Sequence, residues 1–323
     1  MTATIDPERW LKFIRAEYLD AFIKEGGSSI KFAVPFDAAS KTSIIEGVRK
    51  SAEASGYLVA QISAEDTRIH MIDQLFFRIA DQMPWPALSQ RVINKLAVAA
   101  HYAPAPDGTE PLVDRIAAAN HLEADFVRME IRPKIEGRVT KCSMLARDFR
   151  VAASQLCLAE LAGDAGGESM TEAITDWLTG RNKAIAAVKP YQIFTRIHRT
   201  NARYLLASLL RWVRFAGHAG VVIVIDMERV LVPSNPRDGT VFYTKAAMFE
   251  AYEVLRQFID ATDEMKGLLM VLVPSREFVD PDSPRGIGVY EALKFRVYDE
   301  VHDQRLVNPM TSLVRIKSSG GAP

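Results

Sequence analysis

Two short stretches carry residue types that handle phosphate and magnesium. The first is Pro35-Phe36-Asp37-Ala38-Ala39-Ser40-Lys41-Thr42. It lies between an expected strand, 29–34, and a segment of helical periodicity, 41–55. Strand, loop, Lys-Thr, helix is the layout of a phosphate-binding loop, whose pattern is G-x-x-x-x-G-K-[ST]. Lys41 and Thr42 occupy their places, but Pro35 and Ser40 stand where the two glycines belong. The second stretch is Val221-Val222-Ile223-Val224-Ile225-Asp226, a β-branched run ending in an acid. That pattern fits a strand buried on both faces with a carboxylate at the ligand edge of a sheet, the Walker B place for holding Mg²⁺. After it come Met227 and Glu228. A glutamate at 227 would orient an attacking water; a thioether cannot polarise one, and Glu228 sits one step further on.

The substitutions have direct physical meaning. A phosphate loop binds through a cup of backbone N–H groups at a helix N-terminus. Proline removes one donor and fixes φ. Serine at 40 would enter the left-handed region only at a cost that glycine escapes. Asp37 adds negative charge where polyphosphate would sit, and Lys41 offsets part of it.

The remaining elements are those needed to position these two stretches. Asp6-Pro7-Glu8 opens a helix with a capping acid, proline at the first position and an acid in the first turn. Leu11, Ile14, Tyr18 and Phe22 recur at helical spacing before Gly26-Gly27. A second strand is expected at 57–62 and a helix over 67–82, so the chain begins as strand–helix–strand–helix, the start of a parallel α/β sheet. Met83-Pro84-Trp85-Pro86 breaks this order, and only helical periodicity follows from 87 to about 215. A long helix is expected over 191–215. On it Arg196, Arg199 and Arg203 would share one face, a surface for a phosphate backbone or an acidic partner, or simply a solvated face. After the Asp226 strand come a helix at 246–261, a buried strand at 268–273 ending in Pro274-Ser275-Arg276, a helix at 291–299 that contains Arg296, and a last strand at 312–316.

Composition narrows the classes. The chain has 323 residues, 48% hydrophobic, with 40 basic and 40 acidic side chains and zero formal net charge. Bulk charge gives no support for general nucleic-acid binding. Cys142 and Cys157 form no metal-type spacing and read as reduced thiols. The first residues lack the features of a signal peptide, and no apolar run reaches the length of a membrane span, so a cytoplasmic protein without membrane attachment is expected.

The order and spacing of several blocks resemble one known family. These are the 35–42 loop followed by 51–63, then 201–220 leading into the Asp226 strand, then 252–260, 267–278 and 288–296. Across them the chain is similar to the ATP-binding P-loop proteins of bacteriophage-exclusion (BREX-type) defence systems. The resemblance implies an α/β P-loop NTPase fold, RecA/AAA-like with an additional strand in a parallel sheet, carrying a large helical insertion. The corresponding divisions are an N-terminal helix at 1–28, core at 29–83, insertion at 84–190, core at 191–316 and a disordered tail at 317–323. It implies ATP and Mg²⁺ as ligands. Ser40 and Lys41 would lie on the phosphates, Thr42 and Asp226 on the metal, Ser275 at a sensor place, and Arg296 at a second sensor or phosphate-contacting place. Partners would be other defence-system proteins, with a homo-oligomer and DNA as further candidates. The departures at Pro35, Ser40 and Met227 remove cradle and catalytic acid together, and each lost charge-orienting group costs ~10² or more in rate. The expectation is a pseudo-ATPase: a non-hydrolysing scaffold or regulatory subunit of an anti-phage or DNA-processing complex. The alternative is a divergent working ATPase in which Glu228, or a neighbouring subunit, completes the catalytic site.

Overall fold

Three apolar runs build the centre of the fold. The computed structural model describes residues 4–298 and 307–318. β1 (Ser28–Val34), β3 (Val221–Asp226) and β4 (Leu268–Val273) are buried along nearly their whole length. Near-continuous apolar strands of this kind belong in a parallel sheet covered on both faces. With β2 (Leu58–Ser63) and the short β5 (Leu313–Arg315) they form five strands in the order β2-β3-β4-β1-β5, every pairing parallel. β4 therefore separates β1 from β3. The two phosphate-type stretches lie at the C-terminal ends of strands that are not neighbours.

The helices explain the burial. α1 (Pro7–Phe13) opens as expected: the Asp6 carboxylate accepts from the N–H groups of Glu8 at 2.9 Å and Arg9 at 3.3 Å. It continues as a π-helical stretch, Ile14–Phe22. α2 (Ala38–Ala54) leaves β1. Trp10, Ile14, Leu19, Ile44, Val48 and Ala52 from these helices form one core with Val222, Val224, Leu269, Val271 and Val273, the alternate residues of one sheet face. On the other face Phe32 stacks on Phe278 at 5.3 Å, and Tyr252 of α11 (Lys245–Asp260) meets Phe278 edge-on. At the start of the strands, a Cβ on Gly220 would run into the Gly267 carbonyl, so glycine is required where β3 and β4 begin side by side.

The chain divides into two compact units, one of residues 1–79 with 219–323 and the other of 80–218. The first holds the sheet, α1, α2, nearly all of α3 (Ile72–Ala80), the short α10 (Glu228–Leu231), α11 and α12 (Glu291–Val297). The second is helical: α4 (Trp85–Ala99), α5 (Leu112–Ala119), α6 (Ala124–Ile135), α7 (Arg147–Ala162), α8 (Ala165–Thr179) and α9 (Ala202–Phe215). Phe149, Ala152, Ala153, Leu156 and Cys157 bury one side of α7. Both cysteines are free thiols, and burial pushes the Cys157 thiol up. α9, grouped by sequence with the second part of the core, lies in the helical unit.

Three local expectations differ from the structure. α2 begins at Ala38, not at Lys41. The helix expected over 67–82 starts at Ile72. The long helix expected over 191–215 is a single helix only from Ala202. Before it run two short 3-10 turns, Ile185–Ala187 and Lys189–Tyr191, the second ended by Gln192 at φ 64°, and then irregular chain. Helical periodicity at Leu205, Leu209 and Val213 is real, but just before it the Asn201 side chain accepts from the His198 N–H at 2.9 Å and donates to the Arg196 carbonyl at 2.9 Å, holding 196–201 as a turn in competition with helix. Of the tail 317–323, expected to be disordered, Lys317 and Ser318 are hydrogen-bonded to the Ile5 carbonyl and to Asp37, and the rest lies outside the described residues, as does position 299 of the 291–299 helix. Among the described residues no helix is long and apolar enough to cross a membrane.

Candidate functional site

The C-terminal edge of the sheet gathers the phosphate-type residues in the sheet unit. β1 ends at Val34, and Pro35 turns the chain toward α2. Asp37, in extended conformation, is the N-cap. Its Oδ1 accepts from the Ser40 N–H at 2.8 Å, while its own N–H donates to Ser40 Oγ at 3.0 Å. This reciprocal pair is a capping box. It starts the helix three residues before Lys41 and leaves Ser40 helical and fully buried, so the left-handed conformation weighed for position 40 is not adopted. Asp37 Oδ2 accepts from Ser318 Oγ at 2.5 Å. The Ser318 hydroxyl, then the Ser40 N–H and hydroxyl, hold the Asp37 carboxyl below the usual carboxylate range.

Lys41 is equally engaged. Its Nζ lies 2.5 Å from Asp226 Oδ2 and 2.6 Å from Glu228 Oε2. Asp226 Oδ1 accepts from the Glu228 N–H at 3.0 Å. Burial pulls the Lys41 ammonium down, but the hydrogen bonds and charges of Asp226 and Glu228 outweigh it and raise the group above its ordinary value. The Thr42 hydroxyl donates to the Ala38 carbonyl at 3.1 Å, one helical turn back. Met227 is fully buried and its N–H donates to the Val273 carbonyl at 3.0 Å, so the position of a water-orienting glutamate faces the core.

A cleft of about 320 Å³ opens beside these groups, lined by Pro35, Phe36, Lys41, Glu228, Ser275 and Arg276 among others. Phe36 is half exposed, with the Arg276 guanidinium 4.6 Å from its ring centre. Four carboxylates (Asp37, Asp226, Glu228 and Glu277) face two cations (Lys41 and Arg276) here, a net charge of −2. That field opposes a polyphosphate. A larger cleft, about 810 Å³, continues past Phe36 to Arg315.

The residues as arranged do not fit magnesium–ATP. The N–H that would face a phosphate at the start of α2 is taken by the Asp37 carboxylate, the lysine is neutralised by two acids, and the threonine hydroxyl is turned to a carbonyl. No group of three or more His, Cys, Asp or Glu among the described residues could hold a metal ion.

Of the residues singled out by sequence, the structure brings together Ser40, Lys41, Thr42, Asp226, Glu228 and Ser275 at this edge. It does not bring Arg296. That guanidinium is clamped by Asp260, whose α11 ends where the chain returns to the start of β4. A six-residue strand rising about 3.3 Å per residue separates the two edges of the sheet. Arg196, Arg199 and Arg203 lie in the helical unit. Only Arg203 is on α9, so the single helix face expected for the three does not exist. Glu277, the packing of Arg276 on Phe36 and the Ser318 contact were not visible beforehand, whereas the Asp37…Ser40 spacing carries the capping signal in plain sequence.

A family model described as BREX system ATP-binding protein BrxC/D matches residues 16–319. No curated protein and no solved structure gives a match.

Proposed function

The chain belongs to the family of BREX system ATP-binding proteins BrxC/D, and on that premise we propose that it serves a phage-defence system as a non-hydrolysing subunit, a scaffold or regulatory part derived from a P-loop ATPase. The strand order, with β4 between the loop strand and the acid strand, supports descent from the additional-strand class. One observation carries the reading: the helix that should present free N–H groups to phosphate starts early and is capped by its own Asp37. Lys41 then has no vacancy for an anion, because Asp226 and Glu228 already neutralise it. Other proteins of the system are the partners this role requires.

A second reading is favoured by one specific contact. Glu228 lines the cleft and reaches Lys41, so its carboxylate stands near the place of a catalytic base in a divergent ATPase. Phosphate-release assays on the purified protein separate the two. The scaffold reading expects wild type, Lys41→Ala and Glu228→Gln to share the same background rate, with and without added partner proteins. Turnover lost in both variants would establish the ATPase reading instead.

A further inference from the structure

The helical unit carries a basic and aromatic face that the sheet-edge site does not use. From Arg181 to Ile225 the sequence has eight Lys or Arg and no Asp or Glu, in a chain whose total charge is zero. The fold then places aromatic rings among these cations. Phe194 and Tyr204 are 51% and 54% exposed, and Met144 is 69% exposed. The Arg147 guanidinium lies over Phe194 at 5.6 Å, and that of Arg203 over Tyr204 at 5.4 Å. Hydrogen bonds tie these groups into one surface. The Ala146 N–H donates to Ser208 Oγ at 2.9 Å, Ser208 Oγ donates to the Tyr204 carbonyl at 2.8 Å, and Arg211 donates to the Met144 carbonyl at 3.1 Å. The start of α7, the 194–199 segment and α9 thus present rings flanked by guanidinium groups.

We propose that this face binds single-stranded nucleic acid, with bases stacking on Phe194 and Tyr204 and phosphates meeting Arg196, Arg199 and Arg203. Exposed rings bearing guanidinium groups are the chemistry of sequence-tolerant single-strand sites, because every base has a π-face while paired bases in a duplex do not offer theirs. An acidic protein segment would use the cations and leave the rings idle. Of the acids of the same unit, Asp164, Glu168, Glu172 and Asp176 line a separate cleft, while Asp148 pairs with Arg147 at 2.7 Å beside Phe194. The proposal is independent of whether the sheet-edge cleft takes nucleotide.

Fluorescence anisotropy of labelled oligo-dT with the full chain, over a salt series, tests it. Wild type is expected to bind at low salt and to prefer oligo-dT over a duplex of the same length. Phe194→Ala with Tyr204→Ala should weaken binding about a hundred-fold, on the order of ten-fold per ring. Phe194→Trp with Tyr204→Phe should restore it. Alanine at the three arginines should flatten the slope of log affinity against log salt by about 2. Circular dichroism melts confirm that the variants fold. The proposal is overturned if wild type ignores oligo-dT, if ring removal changes affinity less than about three-fold, or if poly-glutamate displaces the oligonucleotide as well as unlabelled oligo-dT does.

Discussion

The sheet-edge cleft and the basic face of the helical unit use the same kinds of side chain to opposite ends. In the cleft, Lys41 lies within 2.6 Å of two carboxylates, and the Asp37 carboxylate accepts from Ser40 and Ser318. On the helical face, most cations come from a stretch without a single acid; Arg203 of that stretch rests on the exposed Tyr204, and Arg147, which also pairs with Asp148, rests on the exposed Phe194. A charged motif is therefore not a ligand site by virtue of its residues. What matters is how the fold disposes its groups, between close carboxylates in the cleft or over exposed rings on the helical face. The lysine–threonine pair looks like the stronger motif in sequence, and it is the one whose groups the fold has consumed.

Substitutions should separate the two regions by what they cost. The largest effect on stability is expected at Lys41→Met, which leaves two close carboxylates without their shared cation. We expect a loss of about 1–3 kcal/mol in urea unfolding, below the range of a fully buried pair because Glu228 is half exposed. A lysine kept only for a ligand would cost almost nothing. Next is Ser40→Ala, which removes the buried hydroxyl of the capping box and should cost about 1 kcal/mol in the same assay. An unchanged stability would mean that the cap does not set the start of α2. On the helical face, Phe194→Ala and Tyr204→Ala should each move stability by less than about 1 kcal/mol, since their rings are half in solvent. A larger loss would recast these rings as packing residues.

The smallest effect is a difference in sign between two lysines of the sheet unit. Lys41 is raised above 10.5, so its contribution to stability is whole below that value and is lost as pH rises through the folded-state value. Lys31 is the contrasting case. It is buried, its Nζ donates to the carbonyls of Met310 at 2.5 Å and Thr311 at 3.1 Å, and burial lowers it to about 8. Between about pH 8 and the ordinary lysine range the unfolded chain binds more protons at this site, so Lys31 makes stability rise with pH there. Subtracting the pH–stability curve of Lys31→Met from that of wild type should reveal a rising segment in this window. A flat or falling difference would mean that the ammonium is not held in a low-dielectric site.

Much of the frame was legible because it follows from burial. The runs 221–225 and 268–273 are apolar throughout, and strands form at 221–226 and 268–273. Asp226 at the end of its strand was legible for the same reason. What escaped prediction was governed by local competition. Lys41-Thr42 suggested a helix starting at the lysine, but Asp37 and Ser40 cap each other first. Arg196 and Arg199 were read onto the periodicity of α9, although the Asn201 side chain bonds the His198 N–H and the Arg196 carbonyl and turns the chain before the helix begins. Arg296 was placed by analogy alone; no local signal announced Asp260, 36 residues away, as its partner. The aromatic half of the basic face was also invisible, because only the fold brings Met144 and Arg147 to α9 and Phe194.

The central claim is that the phosphate-type site is closed on itself, and calorimetric titration with magnesium–ATP tests it most directly. Wild type is expected to give no binding heat at millimolar nucleotide, while a variant carrying Pro35→Gly, Asp37→Gly and Ser40→Gly, which frees the start of α2 and restores the missing glycines, is expected to gain it. Tight binding by wild type that disappears in Lys41→Ala would contradict the account, and would mean that the carboxylates around the lysine yield to phosphate.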